Sequence, residues 1–404
     1  MFDTDLNSAA KPSTRCPRFY FVVTALAFVC GLSTLAVMGR AQTAGESSAT
    51  TKDRLAAPHW WPTKSTPALD AYAGDNECNV CHTTKASSQL KTPMANAAAR
   101  VKTPIQAPNL AAGTTQLGTY QYRISSDHAG SALTVSSGKQ SISASIGWIF
   151  GMGVHGQTYI LEKSGNLYES QVSSIASLQK MDLTPGHTQV EAGNLENALG
   201  ERLTTSLAAR CFACHTTHSS TSGKFEALHA TPGVHCEACH GPGRHHIDAM
   251  QRDKTDEALQ AIFNPARLSP AASVDFCGAC HRTSMDVVIS EEAYGPINVR
   301  FQPYRLEKSR CWGTQGDARL TCVACHDPHE PVVRTAGFYD QRCLNCHAAR
   351  ENKSSGHDSS RAVCPVATTN CVGCHMPKSE VPEMHAKFTD HFIRVVQPGE
   401  SYPN

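Results

Sequence analysis

The sequence predicts short α-helices and loops through most of its length, with one small antiparallel β module at about residues 114–185. Two observations predict this arrangement. The 404-residue chain carries seven short cysteine motifs, six of them crowded after Asn194 with Pro and Gly at most junctions. Residues 114–185 hold no cysteine and show strand-like runs, such as 120–124 and 132–135, separated by turn residues. The β module is expected to have a structural role.

Each motif has the form Cys-x-x-Cys-His, the attachment signature of a c-type haem. The two cysteines form thioethers to one porphyrin, and the histidine supplies the proximal iron ligand. We therefore predict seven covalently attached haem c groups, each with one iron, in a multihaem cytochrome c fold of short helices around stacked haems. The predicted thioether residues are Cys78, Cys81, Cys211, Cys214, Cys236, Cys239, Cys277, Cys280, Cys322, Cys325, Cys343, Cys346, Cys371 and Cys374. The predicted proximal ligands are His82, His215, His240, His281, His326, His347 and His375.

Zinc binding and thiol redox chemistry are the alternatives for such motifs. A single Cys-x-x-Cys is typical of half a zinc site or of a redox-active disulfide. A zinc ribbon, however, pairs two motifs at a regular distance and needs no histidine after each. Here every motif ends in histidine, and the intervals between motif starts range from 21 to 133 residues. The pattern therefore favours haem.

The remaining histidines supply candidates for the second iron ligand. Seven of the 20 histidines are proximal ligands, which leaves thirteen. Two histidines per iron fill both axial positions and favour electron transfer over substrate binding. The stronger candidates are His246, His329, His385 and His391. The weaker ones are His128, His155, His187, His218, His229, His235, His245 and His357, and Met94 is a thioether candidate at the first haem, with simple packing as its alternative.

The N-terminus has the layout of a secretory signal peptide. A basic stretch precedes an uncharged run from Phe19 to Met38, and cleavage is expected after Ala41. Because this run of 20 residues is also long enough to cross a bilayer, a retained membrane anchor is the alternative. In either case the haem part is exported, to the periplasm, to the inner membrane as an anchored protein, or to the cell surface.

We expect five segments along the chain. They are a signal peptide or N-terminal membrane anchor (1–41), a linker (42–74), a first haem segment (75–113), the β module (114–185) and a six-haem cytochrome c domain (186–397). Helices are expected at 195–209 and 253–263. The long interval after the first motif predicts that the first haem stands apart as an electron port.

Two cysteines of the exported part, Cys311 and Cys364, lie outside the motifs. A disulfide between them is expected in an oxidising compartment. The alternative is a free thiol beside a haem, which indicates sulfur chemistry. The near balance of Lys+Arg 36 against Asp+Glu 35 gives no basic excess, so nucleic acid is not an expected partner.

Longer stretches around the motifs resemble a known group. They are Gly233-Val-His-Cys-Glu-Ala-Cys-His-Gly-Pro-Gly243, Cys325-His-Asp-Pro-His329, Cys374-His-Met-Pro-Lys378 and Phe388-Thr-Asp-His391. They are similar to exported bacterial multihaem cytochromes c of the cytochrome c-552/4-like type, related to the tetrahaem cytochrome of ammonia oxidisers and, more distantly, to hydroxylamine oxidoreductase. The resemblance covers about residues 75–395. It implies stacked, mostly bis-His haems, and it favours His246, His329 and His391 as second ligands, with His385 and Met94 behind them.

Electron relay is therefore the expected function. The seven haems are expected to carry electrons in a periplasmic or cell-surface redox chain, between partner proteins that the sequence does not identify. The run from Phe19 to Met38 is the candidate membrane tether. The alternative is a multihaem oxidoreductase that acts on a small nitrogen or sulfur compound at one open haem. It is less favoured because no Cys-x-x-Cys-Lys variant occurs, and no catalytic residue is predicted.

Overall fold

The computed structural model describes most of the chain after residue 66. The described residues are 67–101, 114–128, 130–151, 153–221, 223–289, 295–312, 320–347, 364–397, 399–400 and 402–403. All of them belong to one unit, Gln42–Asn404. The predicted signal or anchor segment, most of the predicted linker and His357 lie outside the described residues.

A nine-stranded antiparallel sheet follows the first motif. Its strands are β1 Ala98–Arg100, β2 Thr114–Leu117, β3 Tyr120–Asp127, β4 Gly130–Ser137, β5 Gln140–Phe150, β6 Gly156–Lys163, β7 Asn166–Ile175, β8 Lys180–Leu183 and β9 Gly200–Arg202. Strands β2 to β8 are neighbours in chain order, while β1 pairs with β5 and β9 pairs with β7. The two ends of this path, β2 and β8, come within 8 Å of each other between Cα atoms. The sheet is therefore nearly closed on itself.

Tight turns join the strands. Strands β6 and β7 are connected through Ser164 and Gly165 alone, and both residues have positive φ, at 50° and 75°. Two-residue turns of this kind match the right-handed twist of the flanking strands. A two-residue turn, Gly138-Lys139, also connects β4 to β5, with Gly138 at a positive φ of 59°. Strands β6 and β7 thus form a hairpin through the Ser164-Gly165 turn.

The sheet is larger than the small β module predicted at 114–185. Its outer additions, β1 and β9, lie on either side of that range and are three residues long, which is too short to show alternation in sequence. They form because β5 and β7 extend beyond their neighbours β4 and β8, which leaves part of each long strand unpaired. Strand β4 reaches only as far as Ser145 of β5, so β1 pairs with Trp148–Phe150. Strand β9 likewise pairs with β7 beside the stretch that β8 occupies.

Aromatic and aliphatic side chains fill the interior of the sheet. The main cluster includes Tyr120, Tyr122, Leu133, Val135, Tyr159, Leu161 and Val172. A short helix, Leu195–Leu199, adds two fully buried residues, Ala198 and Leu199. Burial of apolar surface at about 25 cal/mol per Å² stabilises this core.

Short helices dominate the rest. They are α1 Asp75–Cys81, α2 Thr83–Gln89, α3 Leu195–Leu199, α4 Thr205–His215, α5 Cys236–His240, α6 Arg244–Gln251, α7 Thr255–Gln260, α8 Pro270–His281, α9 Ser284–Ile289, α10 Gln302–Glu307, α11 Ala336–His347 and α12 Cys371–His375. Single-turn 3₁₀ helices lie at Leu69–Ala71, Pro265–Arg267, Pro296–Arg300, Cys322–Ala324 and Pro382–Met384. No helix in the described ranges is long and apolar enough to cross a membrane.

Small hairpins complete the fold. The pairs are β10 Thr216–Thr217 with β13 Thr231–Pro232, β11 Ser220–Thr221 with β12 Lys224–Phe225, and β14 Lys378–Val381 with β15 Ala386–Thr389. One predicted helix is interrupted: the 195–209 stretch forms α3, then β9, then the start of α4. A side chain at Gly200 would place its Cβ 2.1 Å from the Glu169 carbonyl oxygen, so the chain passes close to β7 there as a strand.

Candidate haem sites

Helix ends present most of the cysteine motifs. Five predicted proximal ligands are the last residues of helices: His215, His240, His281, His347 and His375. His82 directly follows α1, and the fifth motif begins on the 3₁₀ helix Cys322–Ala324. Within a helix, residues three apart lie on one face, so the two cysteines of a motif face the same side. The histidine beside them can then face the same porphyrin.

Helix capping fixes where two of these helices begin. The Thr204 hydroxyl accepts a hydrogen bond from the Leu207 amide at 3.2 Å at the start of α4. The Ser269 hydroxyl accepts one from the Ala272 amide at 3.3 Å at the start of α8, where Pro270 occupies the first helical position. Both caps satisfy amide groups that have no partner within the helix. The second and fourth motifs are therefore placed by sequence signals one to three turns upstream.

Three predicted proximal histidines are fixed in one tautomer by backbone carbonyls. The Nδ1 atom of His215 donates to Ala97 O at 3.1 Å, that of His240 to Phe263 O at 2.8 Å, and that of His375 to Arg394 O at 2.8 Å. A carbonyl oxygen only accepts hydrogen bonds, so Nδ1 carries the proton. The lone pair of Nε2 is left for a metal, and the hydrogen bond orients the ring.

Three predicted proximal histidines face three predicted second ligands. The ring centroids are 6.4 Å apart for His82 and His246, 6.0 Å for His240 and His329, and 6.2 Å for His326 and His391. Two metal–imidazole bonds of about 2 Å each, plus the distance from each nitrogen to its ring centre, separate two ring centroids by about 6 Å. The spacing of all three pairs therefore fits an iron held between two imidazoles.

The three predicted second ligands have the same tautomer as His215, His240 and His375. His246 Nδ1 donates to Ala258 O at 2.9 Å, His329 Nδ1 to an Asp327 carboxylate oxygen at 3.1 Å, and His391 Nδ1 to Thr389 O at 3.1 Å. Burial first, and then the nearby His326, lower the pKa of His391 to about 4. A neutral imidazole with a free Nε2 is the form that binds metals.

The fourth of the stronger candidates, His385, has a different environment. Its Nε2 atom lies 3.2 Å from an Asp182 carboxylate oxygen at the β8 strand, and its carbonyl accepts a hydrogen bond from the Ser177 hydroxyl. Its backbone has a positive φ of 47°. The structure thus places this ring at the sheet as the partner of a carboxylate.

Several weaker candidates are also engaged elsewhere. His187 bonds Gln171 and lies near Glu169, His229 pairs with Glu226, and His245 pairs with Glu257. Both ring nitrogens of His235 have close partners, the Asp75 carboxylate at 2.5 Å and the Pro232 carbonyl at 2.7 Å. The ring of His218 shares a hydrogen bond with the Thr231 hydroxyl, and the ring of His155 packs on that of Phe388. The backbone oxygen of Met94 accepts the Val234 amide.

Neighbouring motifs lie against each other. Thiols of different motifs are within hydrogen-bonding reach: Cys78 of Cys236, Cys277 of Cys322, and Cys343 of Cys371. These sulfur atoms stand for thioether sulfurs in a haem-bound protein, so the contacts measure closeness alone. They join the first motif to the third, the fourth to the fifth and the sixth to the seventh.

Further contacts link these pairs into one cluster. His329, which faces the third motif, lies three residues after His326 of the fifth. The ring of His326 contacts Tyr339 of α11, which carries the sixth motif, at 5.5 Å. The Cys214 thiol lies 3.7 Å from the Ala279 carbonyl, between the second and fourth motifs. The first motif is therefore beside the third, although sequence separation suggests that it stands apart.

The β sheet takes part directly in the second site. Phe150, at the end of β5, stacks on His215 with ring centroids 4.6 Å apart and an interplanar angle of 4°. Phe212, inside the second motif, packs edge-on against Phe150 and Trp148. The Ala97 carbonyl that orients His215 directly precedes β1. These contacts were missed from sequence, because nothing in a strand pattern shows what its last residue packs against.

Asp340 joins the last two motifs and was also missed. This residue of α11 is buried, and its carboxylate accepts the backbone amides of Asn370 and Cys371 at 2.8 Å each. The amides belong to the start of α12, where a carboxylate is favourable. Those two hydrogen bonds lower the pKa of Asp340. The position of the aspartate three residues before Cys343 is the only sequence signal.

Cys311 and Cys364 do not form the expected disulfide. Cys364 is an exposed, free thiol. The backbone amides of Ala367 and Val366 lower its pKa. Cys311 is half-buried and lies near Cys325 and Cys343, between the fifth and sixth motifs. It therefore lies beside the fifth and sixth motifs, while Cys364 is at the surface.

Comparison with known proteins agrees with this chemistry. Residues 172–241, which hold the second and third motifs, match the cytochrome c554 and c-prime family. The multiheme cytochrome MtrA of Shewanella baltica is 24% identical over 200 residues, which are 45% of this chain and 47% of that protein. These comparisons support a multihaem c-type cytochrome. They equally support covalently bound haem c.

The extent of these similarities is limited. The chain matches about half the length of the MtrA relative. The crystal structure of the outer cell wall cytochrome OcwA superposes with a TM-score of 0.49 at 15% identity, covering 81% of this chain and 80% of that one.

Proposed function

We propose that this multihaem cytochrome binds seven haem c groups, one at each Cys-x-x-Cys-His motif, and relays electrons through them. The observation that carries the proposal is the set of three facing histidine pairs at 6.0–6.4 Å, each with Nδ1 of its second ligand already hydrogen-bonded. Bound haem supplies an iron that alternates between ferric and ferrous states. Two imidazoles per iron leave no position for a substrate, which favours electron transfer.

The ligand assignment that we propose has two parts. The seven motif histidines are proximal ligands, and the fourteen motif cysteines hold the porphyrins. His246, His329 and His391 are the second ligands at the first, third and fifth haems. We leave His385 out of the ligand set because its ring is paired with Asp182.

The contacts between motifs support an order for the relay. We propose that electrons pass along the first, third, fifth, sixth and seventh haems, with the fourth beside the fifth and the second beside the fourth. Each neighbouring pair in this order is joined by a thiol, ring or ligand-segment contact described above. Electron donors and acceptors are proposed to be redox proteins that contact exposed parts of this cluster.

The proposed setting is outside the cytoplasm. The N-terminal pattern supports export, either with a cleaved signal or with the Phe19 to Met38 run kept as a tether. We also propose the domain division 42–74, 75–113, 114–185 and 186–397 as a description of sequence segments, with the sheet extended by β1 and β9.

Haem counting tests whether each of the seven motifs binds one haem. Full-length protein matured with c-type haem should carry seven haems by iron analysis and intact mass. The double variant Cys371→Ala/Cys374→Ala should carry six, while Cys364→Ala, the matched change outside any motif, should keep seven. A count that stays at seven in the double variant would contradict the assignment.

Spectroscopy tests electron relay against the oxidoreductase alternative. The oxidised protein should give only low-spin signals in electron paramagnetic resonance, and its visible spectrum should be unchanged by nitrite, hydroxylamine or cyanide. Each haem should reduce in a potential titration. A high-spin haem that binds one of these molecules would favour the oxidoreductase.

A further inference from the structure

Glu237 is a buried carboxylate inside the third motif. It occupies the first position between Cys236 and Cys239, and its side chain is 4% exposed. Three backbone amides donate to it: Ala73 at 2.8 Å, Gly74 at 2.9 Å and Gly243 at 2.7 Å. Burying a carboxylate costs free energy unless its oxygens are hydrogen-bonded.

The donors of these hydrogen bonds lie at the starts of two other helices. Ala73 and Gly74 directly precede α1, which carries the first motif, and Gly74 is its N-cap. Gly243 is the N-cap of α6, which carries His246. One side chain of the third motif therefore holds both helices that bring His82 and His246 face to face.

The approach of the three segments is tight. A Cβ atom at Gly243 would lie 3.3 Å from a Glu237 oxygen and 3.6 Å from the Ala73 side chain. The thiol contact between Cys78 and Cys236 brings the first and third motifs together on the same side. A shorter side chain at residue 237 would therefore alter the distance between the starts of α1 and α6.

The carboxylate has no cationic partner among the described residues. Its hydrogen bonds there come from the three backbone amides. Its charge is felt by a neighbour, since burial first and then the Glu237 charge raise the pKa of Tyr72 to about 12. A fixed negative charge beside an iron favours the ferric form over the ferrous form, which lowers the reduction potential.

We propose that Glu237 is a positioning residue for the first haem: it sets the distance between His82 and His246, and its buried charge lowers the reduction potential of the adjacent haems. This inference rests on the proposed ligation of the first haem by those two histidines. It assigns to the third motif a role in a site whose own cysteines lie more than 150 residues upstream.

Two variants separate the charge from the hydrogen bonds. Glu237→Gln keeps the size and one oxygen acceptor but loses the charge, and its amide group faces the Gly74 donor. We expect an upward shift in the potential of at least one haem, with the low-spin spectrum kept. Glu237→Ala removes all three hydrogen bonds, and we expect one haem to become partly high-spin and to bind cyanide.

A matched control is Glu257→Gln. Glu257 has an exposed carboxylate near α6 that pairs with His245 and Arg252, so the change in charge is the same but lies at the surface. Its titration and spectra should superpose on those of the unmodified protein. Placing Glu237→Ala in a Cys78→Ala/Cys81→Ala background, which lacks the first haem, should abolish the new high-spin signal.

The outcomes distinguish a failure of the Glu237 inference from a failure of the proposed ligation by His82 and His246. If Glu237→Gln titrates like the unmodified protein, or if Glu237→Ala holds seven low-spin haems that ignore cyanide, the inference is overturned. If Glu237→Ala does not mature, the Glu237→Gln titration alone decides. If the unmodified protein already has an open first haem, the proposed ligation fails and the inference falls with it.

Discussion

Arg305 and Asp390 form a two-pronged ion pair that is fully buried. The distances are 2.8 Å from Nε to Oδ1 and 2.9 Å from Nη2 to Oδ2, and both side chains are 0% exposed. Asp390 directly precedes His391, the proposed second ligand of the fifth haem. Four residues further, the Arg394 carbonyl accepts Nδ1–H of His375 at the seventh motif. One anchored segment therefore contacts two of the proposed haem sites.

Breaking this ion pair should destabilise the protein and loosen the fifth site. Removing one partner of a buried pair costs about 3–5 kcal/mol when the other charge is left alone, and the lower end applies here because Arg394 still pairs with Asp390 at 2.9 Å. For Arg305→Leu we expect a loss of that size in denaturant unfolding, together with a high-spin signal from one haem. As the control, Lys163→Ala breaks a more exposed pair with Glu196 and should cost at most about 1 kcal/mol. An unchanged low-spin spectrum in Arg305→Leu would refute the positioning role of the pair.

Substituting the proposed second ligands should open one haem at a time. His246→Ala, His329→Ala and His391→Ala should each convert one haem to a high-spin form that binds cyanide, because only the proximal imidazole is left on that iron. The control is His385→Ala, whose ring is paired with Asp182. Electron paramagnetic resonance of the four variants checks this. The assignment is wrong if His385→Ala opens a haem while any of the other three does not.

The ion pair between Asp75 and His235 should make stability depend on pH. Burial by itself raises the pKa of Asp75 and lowers that of His235, but their hydrogen bond and mutual attraction outweigh it, so the pKa of Asp75 is lowered and that of His235 is raised. The carboxylate contribution is present above about pH 3.9 and is lost as the pH falls through its folded pKa. The imidazole contribution is present below about pH 6.5 and is lost as the pH rises through its folded pKa.

The test compares Asp75→Asn with the unmodified protein across pH. Between pH 4 and 6.5 the pair should contribute about 1–2 kcal/mol to the free energy of unfolding. The variant should lack this contribution. Its free energy of unfolding should therefore not decrease as the pH rises through the folded pKa of His235. Glu226→Gln, at the more exposed pair with His229, is the control and should change the profile by less than about 0.5 kcal/mol. Parallel profiles for Asp75→Asn and the unmodified protein would rule out the assignment.

Phe150 should tune the second haem from the β sheet. Phe150→Leu keeps an apolar side chain but loses the parallel stack on His215. We expect the signal of one low-spin haem to shift, and a stability loss of about 1–3 kcal/mol from imperfect packing. Phe338→Leu, at a more exposed ring that packs on Tyr339, is the control. If both variants have the same spectra as the unmodified protein, the sheet has only a structural role at this site.

Chemistry local to the chain could be predicted from sequence. The Cys-x-x-Cys-His spacing predicts the attachment points, since thioether bonds and the proximal bond involve residues within five positions of each other. Strands β3 to β7 could also be predicted, because alternation and turn residues are local. The positions of His246, His329 and His391 beside motif-like stretches made them candidates before any contact was known.

Contacts between distant segments could not be predicted in this way. Whether a histidine such as His385 faces an iron or a carboxylate depends on which segments pack together, and sequence spacing does not encode that. The short strands β1 and β9 exist only because β5 and β7 leave open edges. The roles of Glu237 and Arg305 could not be predicted from their positions in the sequence, because those roles come from amides and carboxylates brought to them by the fold.

The sequence by itself thus determined the predicted cofactor chemistry of this protein: covalent haem c, with the Cys-x-x-Cys-His motifs as expected attachment points and the remaining histidines as candidate second ligands. The tertiary structure decided which histidines face each other, placed the first motif against the third, and brought the sheet onto His215. The physical reason is range. Covalent attachment and turns are set by neighbours along the chain, whereas a second iron ligand, a buried carboxylate and a ring stack depend on packing across more than a hundred residues.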